Sequence, residues 1–324
     1  FEENENSTSE ILRTNYLLKK AEDIVSKVNP HSILVGHSGP DAGIDEALIA
    51  CSGGRNTYVI QDYWGAVNLT LGKSASTYFV IDEDAAKYTK ESTSSETVIV
   101  GSVKHVLYEE LDIFSLRKNT RNAIGIDSDK KMICFFGQPL EERAGYEATV
   151  SGFASSVNRL YPHDVLAYRP HPKESQEQRE TVTKILSKSR ARFFVDDSLL
   201  VESTLAACDI AVSCCSLVGY DLLMLNRFSK TPIGVPVYLM FEPRVASMPF
   251  SDTACDFVDV PFNKKGIALL VRNVEDLDKV MLSAGSKETH EEIWTKAGKY
   301  IPNPSGAEET ILTKISSDLD MFGL

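Results

Sequence analysis

Short apolar runs, each followed by a stretch with helical spacing, recur along this chain, and that alternation admits few folds. In the amino-terminal part the runs lie at 32–35, 57–60, 77–81 and 97–100. A second set lies at 132–136, 165–168, 192–195 and 210–213, with a last one near 232–237. Continuous apolarity over so few residues marks strands that are covered on both faces. Helical patterns separate them at 41–51, 142–160, 174–187, 199–207 and 217–225. Strands alternating with helices predict an α/β chain built on doubly wound parallel sheets.

The two sets of strands are split by a polar stretch, 117–121, which places a domain boundary between 117 and 130. The expected organisation is a Rossmann-like domain over 1–120 and a second over 121–324. The first looks short. It opens on a helix, 7–28, with apolar positions at Ile11, Leu12, Leu17, Leu18, Ala21, Ile24, Val25 and Val28, closed by Asn29-Pro30. A domain lacking its first strands would look like this, and the chain begins at Phe1 rather than Met, so residues before Phe1 are expected to be missing. Short helices at 274–284, 288–300 and 308–318 finish the chain.

Of the 324 residues, 43% are hydrophobic and 25% charged, as in soluble globular proteins. A formal net charge of -12 repels nucleic acid, and no basic stripe offsets it, so nucleic acid is not an expected partner. A small phosphate can still be held locally by helix amino termini. No apolar run has the length of an integral membrane segment, and no signal peptide is visible. No cysteine pair has zinc-ligand spacing, and Cys134 and Cys208 sit in or beside apolar runs as core residues. The thiols therefore read as reduced, as in a cytoplasmic protein. Neither a metal nor a cofactor is expected. The P-loop, the Gly-x-Gly-x-x-Gly fingerprint and the Gly-x-Ser-x-Gly elbow are all absent.

Two strand-to-helix turns carry the chemistry. Tyr168-Arg169-Pro170-His171-Pro172-Lys173-Glu174 follows one strand, where ligands of open α/β sheets bind. The prolines restrict the turn and aim the imidazole of His171, which can donate to a phosphate or ribose oxygen. Arg169 and Lys173 would add charge-assisted bonds. The bland alternative is a rigid turn and nothing more. Ser213-Cys214-Cys215-Ser216-Leu217-Val218-Gly219 is the second turn. Its small residues, Ser213 and Ser216 foremost, let a phosphate approach the amides around Leu217, with Ser216 placed to cap the helix and Gly219 permitting close helix packing or close ligand approach. Plain capping is the alternative here. Glu202 could accept from a ribose hydroxyl or be an exposed acidic helix start.

In the first domain, Gly36-His37-Ser38-Gly39-Pro40-Asp41 follows a strand directly. His37 and Asp41 are candidate acid–base groups, with capping as the other role for Asp41. Gln61-Asp62-Tyr63-Trp64-Gly65 ends the next strand, where Asp62 is a candidate general base and the aromatic pair either stacks on a sugar or packs internally. Gly101-Ser102 ends a further strand. His31, His105, His163 and His290 read as structural or surface residues.

With these residues placed, the chain resembles the GT-B glycosyltransferase superfamily, which includes the UDP-N-acetylglucosamine 2-epimerases. Arg169-Pro170-His171-Pro172 resembles the His-Pro motif of bacterial sialyltransferases and a segment of CDP-glycerol polymerases. Ser213 to Ser216 resembles their Ser/Thr-rich phosphate motif. The resemblance is clearest from about 130 to 230, and it departs from the superfamily in lacking the usual first strands and the sialyltransferase acidic motif. It implies two Rossmann-like domains facing across a cleft and closing over a donor. It also implies a metal-independent glycosyltransferase that moves sugar from a CMP-, CDP- or UDP-linked donor to a glycan or lipid-linked acceptor. The setting implied is bacterial surface polysaccharide biosynthesis in the cytoplasm, extending to the inner face of the membrane. Two alternatives stand beside it: a hydrolysing 2-epimerase, for which Asp41, Glu46 and Asp62 would supply the acidic groups, and a non-catalytic nucleotide-binding module.

Overall fold

The computed structural model describes residues 2–39, 41–140, 144–246 and 261–320. The chain forms two compact units. Among the described residues, the first unit takes those up to 106 and is rejoined by 302–320; the second takes 107–246 and 261–301.

The first unit opens on a long helix, α1 (Glu2–Val28), in which Ala21 and Val25 are buried. A parallel sheet of four strands follows: β1 (Ser32–Val35), β2 (Asn56–Ile60), β3 (Thr77–Val80) and β4 (Glu96–Ile99), ordered β1-β2-β3-β4. α2 (Ile44–Ala50) and α3 (Glu83–Ser92) make the crossovers. α3 starts where it does because Asp82 accepts the amide of Ala85 at 2.8 Å. Tyr58, Phe79 and Val100 form a buried cluster. That cluster is completed by Ala307 and Ile311 of the last helix, α12 (Ala307–Asp320). The Tyr58 hydroxyl donates to Asp318 on the same helix at 2.8 Å. Burial and this carboxylate push the phenol up to about 12. The closing helix, expected from sequence in the second domain, thus packs in the first unit.

The second unit is a parallel sheet of six strands ordered β10-β9-β8-β5-β6-β7. β5 (Met132–Phe136), buried throughout, is central and pairs with β6 (Val165–Arg169) on one side and β8 (Ile210–Ser213) on the other. β7 (Arg192–Val195), β9 (Val235–Leu239) and β10 (Leu269–Val271) complete it. The last apolar run thus pairs a few residues later than expected, and β10 had no counterpart in the sequence reading. The helices are α4 (Ile113–Ala123), α5 (Tyr146–Leu160), α6 (Gln176–Leu186), α7 (Val201–Ala207), α8 (Val218–Phe228), the single turn α9 (Pro243–Ala246), α10 (Leu277–Ala284) and α11 (Lys287–Tyr300).

α4 covers the polar stretch that marked the expected boundary, and it packs in the second unit. Its arginines are clamps. Arg117 donates to the carbonyls of Ala206 and Cys208 at 2.7 and 3.0 Å, and Arg121 donates to Ala207 O at 2.9 Å and to Asp209 at 3.0 Å. These carbonyls are the last two of α7 and that of Cys208, its capping residue, none of which has an acceptor role left within the helix. Residues four apart share one helix face, so an i,i+4 arginine pair can hold one helix end.

Candidate functional site

Every strand of the second sheet is parallel, so the turns after β5, β6 and β8 leave from one edge. β6 and β8 flank β5, which sets their ends roughly 10 Å apart at a strand spacing of about 4.8 Å. The two turns singled out from sequence are therefore neighbours on a common rim.

The turn after β6 is held at several points. The amides of Lys173 and Glu174 donate to His171, to Nδ1 at 3.1 Å and to the carbonyl at 3.0 Å. Arg179 Nη2 donates to the same carbonyl at 3.2 Å. Glu174 is buried and accepts from the hydroxyl of Tyr168. Gly137, at the end of β5, makes room for it: a Cβ there would sit 2.0 Å from Glu174 Oε1. Because Nδ1 accepts an amide, the ring proton of neutral His171 is on Nε2. Burial, then Lys173 and Arg179, lower the imidazole's pKa below its usual value. The ring is thus a neutral donor fixed in one orientation.

Arg169 and Lys173 differ sharply. Lys173 is exposed. The guanidinium of Arg169 points back into the protein, where Nη1 donates to Asp196 Oδ2 at 2.9 Å, Leu199 O at 2.9 Å and Thr204 Oγ1 at 3.0 Å. Asp196 also accepts from Thr204 and from the amide of Leu199. This cluster joins β6 to the start of α7.

The turn after β8 is organised by a residue the sequence reading did not single out. Gln138, 6% exposed, accepts the amides of Cys214 and Cys215 on one oxygen at 3.2 and 2.8 Å. Its carbonyl accepts from Gln178, and Gln178 Oε1 accepts the amide of Leu140. Gln138 therefore spans from the β8 turn to α6, across the end of β5. Nothing short of this pairing could have marked it, since a lone Gln after a strand has no signature. Ser213 and Cys214 are buried. Ser216 is half-buried, and its Oγ accepts the amide of Val218 at 3.2 Å. The cap position of α8 is Leu217, which gives no side-chain bond. Ser216 thus caps from one residue further out than expected, and the first amides of α8 face the rim by helix geometry. Gly219 is needed for packing: a Cβ would lie 2.2 Å from the hydroxyl of the buried Tyr238, which itself donates to Ser216 O at 2.8 Å. Glu202, half-buried in the first turn of α7, accepts from the hydroxyl of Tyr108 at 3.3 Å.

In the first unit, the loop after β1 is closed by Glu46, which accepts the amides of Ser38 and Gly43 at 3.2 and 2.8 Å. His37 Nδ1 accepts the amide of Gly39 at 3.2 Å; Pro40 lies outside the described residues. Asp41 is 77% exposed and 3.7 Å from Arg13 of α1. It lines, with Glu10, Arg13 and Thr70, a polar recess of about 410 Å³. Asn68 donates to the carbonyls of Gly39 and Asp41, tying the loop after β2 to the loop after β1. Asp62 is exposed. Trp64 is fully buried and donates to Asp82 at 2.8 Å, so the indole packs inside the unit; Tyr63 meets it edge-on with ring centroids 6.0 Å apart. Burial raises the carboxyl pKa of Asp82. Ser102 is buried and shares a 2.7 Å bond with Nδ1 of the equally buried His105.

Cys51, Cys134, Cys208, Cys214 and Cys215 are free thiols, and Cys255 lies outside the described residues. Among the described residues, no group of three or more His, Cys, Asp and Glu could hold a metal ion, and no helix is long and apolar enough to cross a membrane.

A four-stranded and a six-stranded parallel sheet, each with its own helices, give the chain the two-sheet architecture of the GT-B fold. The structure is similar to UDP-GlcNAc 2-epimerase from Neisseria meningitidis bound to UDP-GlcNAc, with TM-score 0.63 and 14% identity over 94% of this chain and 81% of that one. It is similar also to the S. aureus MnaA–UDP co-structure, with TM-score 0.63 and 15% identity over 95% of this chain and 81% of that one. A UDP-forming α,α-trehalose-phosphate synthase from Burkholderia xenovorans follows, with TM-score 0.55 and 10% identity over 95% and 77% of the two chains. No family model and no curated protein matches the sequence.

Proposed function

We propose that the chain is a GT-B glycosyltransferase that takes sugar from a nucleotide-linked donor, with the donor's phosphate on the rim of the second sheet. The observation that carries this reading is the shared rim of the His171 turn and the mouth of α8. His171 Nε2–H and the first amides of α8 would donate to the phosphate, while Lys173 adds charge from the surface. Arg169 supports the turn from behind rather than touching the ligand. As the anomeric carbon–oxygen bond breaks, negative charge grows on the departing nucleotide, and fixed donors stabilise it without reorganising. In this reading an acceptor hydroxyl attacks the anomeric carbon and passes its proton to a carboxylate. Asp41, beside its recess, fits that role better than the isolated Asp62, and His37, in the same loop, is the other candidate base.

The 2-epimerase reading is favoured by one observation: the two structures reported above at TM-score 0.63 are a UDP-GlcNAc 2-epimerase and MnaA. Against it, Glu46 is committed to loop amides and Asp41 is exposed, so the acidic groups are not gathered. Incubation with UDP-N-acetylglucosamine alone separates the two. An epimerase yields N-acetylmannosamine products without an acceptor. A transferase leaves the donor intact until an acceptor glycan is supplied.

A further inference from the structure

Tyr108 lies on the 3₁₀ segment Val103–Glu110 that carries the chain from the first unit into the second. Although this segment is a connector, Tyr108 is only 5% exposed. A buried phenol needs a partner for its hydroxyl, and here the hydroxyl donates to Glu202 Oε1 at 3.3 Å. Burial, then the carboxylates of Asp221 and Glu202, raise its pKa far above the ordinary range. The hydroxyl therefore keeps its proton and remains a donor at any working pH. Asp221, itself 5% exposed, is in the first turn of α8, the helix whose mouth faces the rim. Glu202 is in the first turn of α7. The phenol thus holds the start of α7, a helix that, like α8, follows a strand of the second sheet.

We propose that Tyr108 is a positioning residue: it fixes the Glu202 carboxylate so that the other oxygen accepts from the ribose diol of a nucleotide bound on the rim. This rests on the proposed nucleotide site and goes beyond it by assigning the sugar-reading carboxylate its holder. A single carboxylate oxygen suits a vicinal diol because its two lone pairs can accept from both adjacent hydroxyls while its twin holds the phenol. A half-buried carboxylate free to rotate would lose part of that preference to conformational entropy, and the phenol removes the freedom.

The test compares UDP with 2′-deoxy-UDP by calorimetry on the full chain, for the natural protein, Tyr108→Phe and Glu202→Gln. Tyr108→Phe keeps the ring and removes one hydroxyl. The natural protein should bind UDP about tenfold more tightly than the deoxy form, the scale of one lost charge-assisted bond. Tyr108→Phe should weaken UDP about three- to tenfold and change deoxy-UDP less than about twofold, compressing the ratio. Glu202→Gln should compress it as well, and the double variant should do no more than the stronger single one. An unchanged ratio in Tyr108→Phe, or an equal loss of both nucleotides, overturns the positioning role while leaving the nucleotide site standing. Failure of the natural protein to bind either nucleotide overturns both together.

Discussion

Replacing Arg169 by Met separates a structural arginine from a phosphate ligand. The guanidinium meets Asp196, whose side chain is 1% exposed, while the Arg169 side chain is 23% exposed. Removing one member of such a pair leaves a buried charge without its counter-ion, at a cost of about 3–5 kcal/mol. Asp196 would keep its bonds from Thr204 and the Leu199 amide, which places the loss near the lower end, about 3 kcal/mol. At a urea slope of about 2 kcal/mol per molar, the unfolding midpoint of the second unit should fall by roughly 1.5 M. Each unit contains one of the two tryptophans, Trp64 in the first and Trp294 in the second. Fluorotryptophan labelling therefore gives one fluorine resonance per unit, and the Trp294 signal should report the shift while Trp64 holds. Adding Asp196→Asn to Arg169→Met removes the stranded charge and should recover part of the loss. The reasoning is refuted if Arg169→Met costs less than about 1 kcal/mol and instead abolishes nucleotide binding.

Three further outcomes follow from the packing and the titrating groups. Gly219→Ala would drive a Cβ against the buried Tyr238 hydroxyl, so it should cost about 1–3 kcal/mol, and Tyr238→Phe should relieve part of that; urea titration of the three variants checks both. Tyr58→Phe removes the donor to Asp318, whose side chain keeps Lys314 at 2.9 Å, and should loosen α12 by about 1–2 kcal/mol. The Trp64 resonance reads it, and an unchanged first unit would mean α12 does not need that bond. His171 has a pKa lowered in the fold, so the unfolded chain takes up its proton first as pH falls. Its contribution to stability is complete above the free-imidazole value of about 6.5 and shrinks on acidification down to the lowered folded value. His171→Gln should flatten that part of the stability–pH curve, and an imidazole titrating above the free value by NMR would contradict the assignment.

The strands were legible because buried parallel strands advertise themselves as continuous apolar runs, and β5 and β8 show it most plainly. Helix α4 was not, because Arg117 and Arg121 look like solvated linker charge until the carbonyls of α7 and the Asp209 carboxylate that they hold are seen. The return of α12 to the first unit depends on Ala307, Ile311 and Asp318 meeting strands more than two hundred residues away, and no local pattern encodes that partner. At the site, the prolines and histidine of 170–172 were readable as a fixed turn. The use of Arg169 was not, since its acceptors come from 196, 199 and 204. For Gly219 the sequence leaves close helix packing or close ligand approach open, and the group that meets it is the buried Tyr238.

The central claim is that a nucleotide phosphate is held by His171 Nε2–H beside the mouth of α8. Nitrogen NMR of the imidazole, with UDP and with uridine added in turn, tests it most directly. The account predicts that UDP shifts and protects the Nε2–H resonance of His171 and that uridine, which lacks phosphate, leaves it in place. Saturating binding of UDP with that resonance unmoved would contradict it.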